Sequence, residues 1–82
     1  MDTKALLRNF FRDCLNEVGD RADFTDADSL FVSGRLDSLA LTRLVLFLEA
    51  QFQVDFARVD FSAERVDSVD ATLALLQPLA TA

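Results

Sequence analysis

Residues Ser33–Phe52, SGRLDSLALTRLVLFLEAQF, decide how this chain is read. From Ser38 onward the apolar residues return at helical spacing. Leu41, Leu44, Val45, Leu48 and Phe52 mark one side of a helix over 38–52. At about 100° per residue, Leu39, Leu46 and Phe47 are expected on the other side, beside Arg43 and Ala50. A helix apolar on two sides needs more cover than a chain of 82 residues readily supplies. The second side, with Leu39, Arg43, Leu46 and Phe47, therefore reads as a surface for a partner.

The tripeptide Asp-Ser-Leu occurs twice near this helix, at Asp28-Ser29-Leu30 and at Asp37-Ser38-Leu39. The two copies differ in their downstream neighbours. After Ser29 no helical pattern begins, so Asp28-Ser29 reads as a turn whose side chains bond local backbone. After Ser38 the strongest helical pattern in the chain begins. Gly34 stands upstream and permits a tight or positive-φ approach. The bland reading of Ser38 is a helix cap. The functional reading uses the same place differently. The first turn of a helix has unpaired N–H groups and the positive end of the dipole, so a phosphate attached there is favoured. Asp37 beside it offers an oxygen ligand of the kind Mg²⁺ takes during phosphoryl transfer.

The other elements frame that helix. Thr3 to Val18 is expected to be helical, with Leu7, Phe10, Phe11, Cys14, Leu15 and Val18 as its buried stripe, Asp2 or Thr3 as its cap and Gly19 as its stop. Asp20 to Asp37 has no sustained period and reads as a long loop pinned by Phe24, Leu30, Phe31, Val32 and Leu36. Loops of this length are uncommon and often functional. Gln53 to Phe61 is a connector, and Ser62 to Val66 one short helical turn. A last helix opens at Asp67-Ser68, carries Val69, Leu73 and Leu76, and is expected to end at Pro78. Nothing reads as a strand. The expectation is a single domain over residues 1–82, all-α, a small four-helix bundle with a short third helix and a long loop between the first two.

Composition narrows the function classes. The formal net charge is −6, which argues against nucleic acid and anionic membrane surfaces and favours steering toward a basic partner. Histidine is absent, which removes the commonest general base and metal ligand. One cysteine excludes an internal disulfide framework or thiolate cluster. Cys14 on the first helix's stripe reads as a buried structural thiol. Asp20, Asp23, Asp26 and Asp28 lack the register of a calcium loop and read as a solvated face. No apolar run is long enough to span a membrane, and the N-terminus lacks the pattern of a signal peptide. The expectation is a cytoplasmic, monomeric protein, not an enzyme, with no metal and no catalytic residues of its own.

The stretch LFVSGRLDSLALTRLVLFLEAQFQVDF resembles the phosphopantetheine attachment region of acyl, peptidyl and aminoacyl carrier proteins. Gly34, Asp37, Ser38, Leu39 and Phe52 match that motif, and the order of helices over most of the chain agrees with it. The resemblance implies an acyl-carrier-protein-like fold, with Ser38 receiving a covalent 4′-phosphopantetheine arm from coenzyme A and Asp37 assisting the transferase through Mg²⁺. It implies Leu39 and Leu46 as positions gripped by partner enzymes, and cargo carried as a thioester. The implied partners are a phosphopantetheinyl transferase, an adenylating amino-acid or acyl ligase, and a downstream acceptor enzyme. The second helix departs from fatty-acid carriers, which place several acidic residues along it, since Glu49 is its only carboxylate. The wording is closer to D-alanyl and stand-alone aminoacyl carrier proteins, which implies an amino acid as cargo. An acyl carrier of a specialised fatty-acid or polyketide pathway is the alternative. A small acidic helical adaptor without a prosthetic group, binding through Leu39, Leu46 and Phe47, is the alternative of another class. Asp67-Ser68 also precedes a helix, but lacks the upstream glycine and reads as a plain cap.

Overall fold

Asp2 starts the first helix by accepting the Lys4 N–H on its carboxylate at 3.0 Å. The computed structural model describes residues 2–56 and 62–80. Within them the chain forms helix α1 (Thr3–Glu17), helix α2 (Ser38–Phe52), a single 3-10 turn (Ala63–Val66) and helix α3 (Val69–Ala80), with no strand among the described residues. The all-α expectation therefore holds. Of the four helices expected, the third is only that 3-10 turn, and residues 57–61 of the expected connector lie outside the described residues.

Helix α1 ends in a two-bond C-terminal lock. Gly19, at φ 81°, donates to the Asn16 carbonyl at 3.1 Å, and Asp20 donates to the Leu15 carbonyl at 2.8 Å. Only a residue at ease in the left-handed region makes this reversal without strain. The lock also corrects the expected stripe. Val18 is the cap residue, 51% exposed, because the chain turns away there before its side chain can reach the core. Leu7, Phe11, Cys14 and Leu15 are buried as expected.

The core is built where these residues meet Ala40, Leu44 and Leu48 of α2, Leu30 and Leu36 of the first loop, Val54, Val66, and Val69, Leu75 and Leu76 of α3. Ala40, Leu44 and Leu48 recur at every fourth position and form the centre line of the buried face. Leu41 and Phe52 flank it half-buried. Phe47 departs from its expected placement. Its ring stacks on Phe10 of α1 with centroids 4.6 Å apart and meets Phe52 edge-on at 6.2 Å. The reason is angular: three residues past Leu44 is about 60° round the helix, still within the core's flank.

Helix α3 is capped as expected, by the Ser68 hydroxyl accepting the Ala71 N–H at 3.0 Å. Thr72 is fully buried and satisfied by donating to the Ser68 carbonyl at 2.8 Å. Pro78 does not end this helix, which continues to Ala80. Proline's fixed φ is a helical one, and what it costs within a helix is one backbone hydrogen bond and crowding of the carbonyl four residues back.

Candidate functional site

The two Asp-Ser-Leu copies have different fates in the fold. In the first, Asp28 accepts the Thr25 N–H at 2.8 Å, Ser29 Oγ accepts the Ser33 N–H at 3.0 Å, and Leu30 is fully buried. All three side chains serve the loop. In the second, Asp37 and not Ser38 is the helix cap, its Oδ1 accepting the Ala40 N–H at 3.1 Å while its carbonyl takes the Leu41 N–H. Ser38 is the first residue inside the helix and is exposed. Its carbonyl accepts from the Thr42 hydroxyl at 3.1 Å, but its own hydroxyl makes no hydrogen bond among the described residues. Of the three Asp-Ser steps, this is the one whose serine side chain has no structural duty.

The approach to Ser38 is fixed by its loop. Gly34 adopts φ 87° and donates to the Phe31 carbonyl at 3.0 Å, closing the turn the sequence anticipates. Arg35 reaches back across the loop to Asp20 with two N–H···O bonds, at 2.9 and 3.2 Å, and donates to the Ala22 carbonyl at 3.0 Å. That paired geometry, with the Arg35 hydrogen bond foremost, holds the Asp20 carboxyl below its ordinary value. Arg12 donates to the Asp20 and Ala22 carbonyls at 2.8 and 3.1 Å and lies 5.4 Å from the Phe24 ring centre. Leu36, buried, donates to the Leu30 carbonyl at 2.7 Å just before the cap. Val32, expected as a loop anchor, is 67% exposed; its backbone, not its side chain, does the anchoring.

A groove of about 330 Å³ opens beside Ser38, lined by Phe31, Leu36, Asp37, Ser38, Leu41 and Ala63. Its walls come from the first loop, the start of α2 and the 3-10 turn. Along the outer side of α2, Leu39 and Leu46 are 68% and 60% exposed. Arg43 lies between them and forms an ion pair with Glu17 of α1. Thus Leu39, Arg43 and Leu46 share the open face, whereas Phe47 is half-buried against Phe10.

The acidic loop is not merely solvated. Asp26 binds Arg8 through two contacts, at 2.6 and 2.8 Å, and Lys4 at 3.3 Å, which, led by the Arg8 hydrogen bond, pulls its carboxyl down to about 2. No group of three or more potential metal ligands gathers among the described residues. Cys14 is buried as expected, and burial pushes its thiol up.

Asp67 is the residue that sequence reading missed. Its Oδ1 accepts the Phe31 and Val32 N–H groups at 2.7 and 2.8 Å, and its carbonyl accepts from Leu30 at 2.8 Å. The only signal for it was an aspartate before a capping serine, which gave no hint of a partner more than thirty residues away. Comparison with protein-family models, with curated proteins and with solved structures gives no match for this chain.

Proposed function

We propose that the chain is a carrier protein modified on Ser38 by 4′-phosphopantetheine, in a domain built like an acyl carrier protein with the 3-10 turn standing as its short third helix. The observation that carries this reading is the division of labour at Asp37-Ser38. Asp37 does the capping, and Ser38 presents an unengaged hydroxyl to solvent at the N-terminus of α2. The site also fits a phosphate. Asp37 covers one first-turn N–H, while those of Ser38 and Leu39 keep no partner among the described residues, and the groove beside Ser38 has room for the start of an arm. The bound group supplies a terminal thiol that holds cargo as a thioester.

The tasks in this reading divide among the residues of the α2 start and its outer side. Ser38 offers its hydroxyl as the acceptor of the phosphoryl group. Asp37 is exposed, and its Oδ2, which makes no hydrogen bond among the described residues, would be the oxygen offered to a Mg²⁺ brought by the transferase. Leu39, Arg43 and Leu46 form the side of α2 that a partner enzyme meets. The open face carries one basic and one acidic side chain, Arg43 and Glu49, and no acidic run. That favours an amino-acid cargo delivered by an adenylating ligase over a fatty-acid role.

Incubation with coenzyme A, Mg²⁺ and a broad-specificity phosphopantetheinyl transferase tests the reading by intact mass. The wild-type chain gains the mass of one phosphopantetheine unit, Ser38→Ala gains nothing, and Ser29→Ala and Ser68→Ala behave as wild type. An unmodified wild-type chain, or a gain that survives Ser38→Ala, overturns it and leaves the helical adaptor as the better account.

A further inference from the structure

The groove beside Ser38 has two walls that are distant in sequence, and one side chain ties them together. Phe31 and Leu36 belong to the loop before α2; Ala63 belongs to the 3-10 turn before α3. Asp67 follows that turn directly. Its Oδ1 accepts both Phe31 N–H and Val32 N–H, and its carbonyl accepts Leu30 N–H. Leu30 in turn takes the Leu36 N–H at 2.7 Å, one residue before the Asp37 cap. Hydrogen bonds therefore link the start of α3 to Leu36, two residues before the serine.

We propose that Asp67 is a positioning residue for the arm on Ser38: it latches the loop wall of the groove to the 3-10 turn and so fixes the seat into which the arm's first atoms pack. This rests on Ser38 carrying the arm. Without the carboxylate, Phe31 and Val32 lose their N–H bonds to the start of α3, and the Phe31 wall keeps the Gly34 N–H on its carbonyl and the T-shaped contact of its ring with Phe11, at 6.2 Å. Both backbone bonds end on the same oxygen, Oδ1. An asparagine, which keeps one carbonyl oxygen, therefore preserves them, whereas alanine removes them.

The test uses the holo protein and the alkylation rate of the arm's thiol by iodoacetamide, under conditions where circular dichroism shows the helices intact. Peptide mass mapping separates the arm on Ser38 from Cys14. Asp67→Ala raises the alkylation rate toward that of free pantetheine, and Asp67→Asn stays at the wild-type rate. An Asp67→Ala rate equal to wild type, or equal acceleration in both variants, overturns the latch. Amide hydrogen exchange gives a second reading that does not need the alanine variant. The Phe31 and Val32 N–H groups exchange slowly and alike in wild type and Asp67→Asn, and rapid exchange at either in wild type overturns the proposal. A wild-type chain that takes up no phosphopantetheine refutes the carrier reading itself; a modified chain whose arm ignores Asp67 refutes only the latch.

Discussion

Asp37 gives two jobs to the two oxygens of one carboxylate. Oδ1 caps α2 through the Ala40 N–H, and Oδ2 is left for the proposed Mg²⁺. The jobs separate by substitution. Asp37→Ala removes both and lowers stability by about 1 kcal/mol, the usual worth of an N-cap. Asp37→Asn keeps an accepting oxygen and melts with the wild type, but loses the charge a divalent cation needs. Transferase assays on the two variants, alongside thermal melts, check this: modification falls in both, and stability falls only in Asp37→Ala. Wild-type modification of Asp37→Asn removes the metal role. At this scale Ser38 was legible in the sequence and Asp67 was not. Ser38 stands in a local motif whose meaning lies in its neighbours. Asp67 acquires its meaning from Phe31 and Val32, which only folding brings to it.

Helix α2 has one face for the fold and one for something else, and neighbouring residues on it differ sharply. Phe47 packs on Phe10 and Phe52, and Leu46 stands 60% exposed. Phe47→Ala is expected to cost about 2 kcal/mol, through lost packing and lost ring contact. Leu46→Glu is expected to leave stability within about 0.5 kcal/mol, while it impairs transfer of cargo to a partner enzyme. Urea titration and a transfer assay on the same two variants separate these effects; a stable Phe47→Ala or an unfolded Leu46→Glu contradicts the assignment. The bounds of α2 were readable from the sequence, since a capping Asp-Ser marks its start and the apolar recurrence stops at Phe52. The angle of Phe47 from Leu44 was readable as well, whereas its partner, Phe10 on another helix, was not.

Across the whole molecule, acidic loop residues hold the connections between helices. Asp20 ties the end of α1 to Arg35, Asp26 ties the loop to Lys4 and Arg8 of α1, and Asp67 ties the start of α3 to the groove wall. In Asp67, burial raises the carboxyl, but the hydrogen bonds from Ser29, Val32 and Phe31 outweigh it and leave it below its ordinary value. Asp26 falls from 3.8 to about 2. With folded values below unfolded ones, these carboxylates add stability above the unfolded value and lose it as pH falls through the folded one. The denaturant midpoint therefore drops between about pH 5 and pH 2, and Asp26→Asn shows a shallower drop over that interval. A midpoint flat with pH, or an unchanged slope in Asp26→Asn, contradicts the role given to these pairs.

The all-helical class, the bounds of α2, the turn at Gly34 and the exceptional position of Ser38 follow from the sequence by itself. Each depends on residues a few positions apart, where helical spacing, capping and backbone freedom act. The tertiary structure decided that Phe47 stacks on Phe10, and that Asp26 and Asp67 are engaged rather than solvated. Those outcomes depend on pairings between distant segments, which are set when the buried core brings the loop, α1 and the start of α3 into contact.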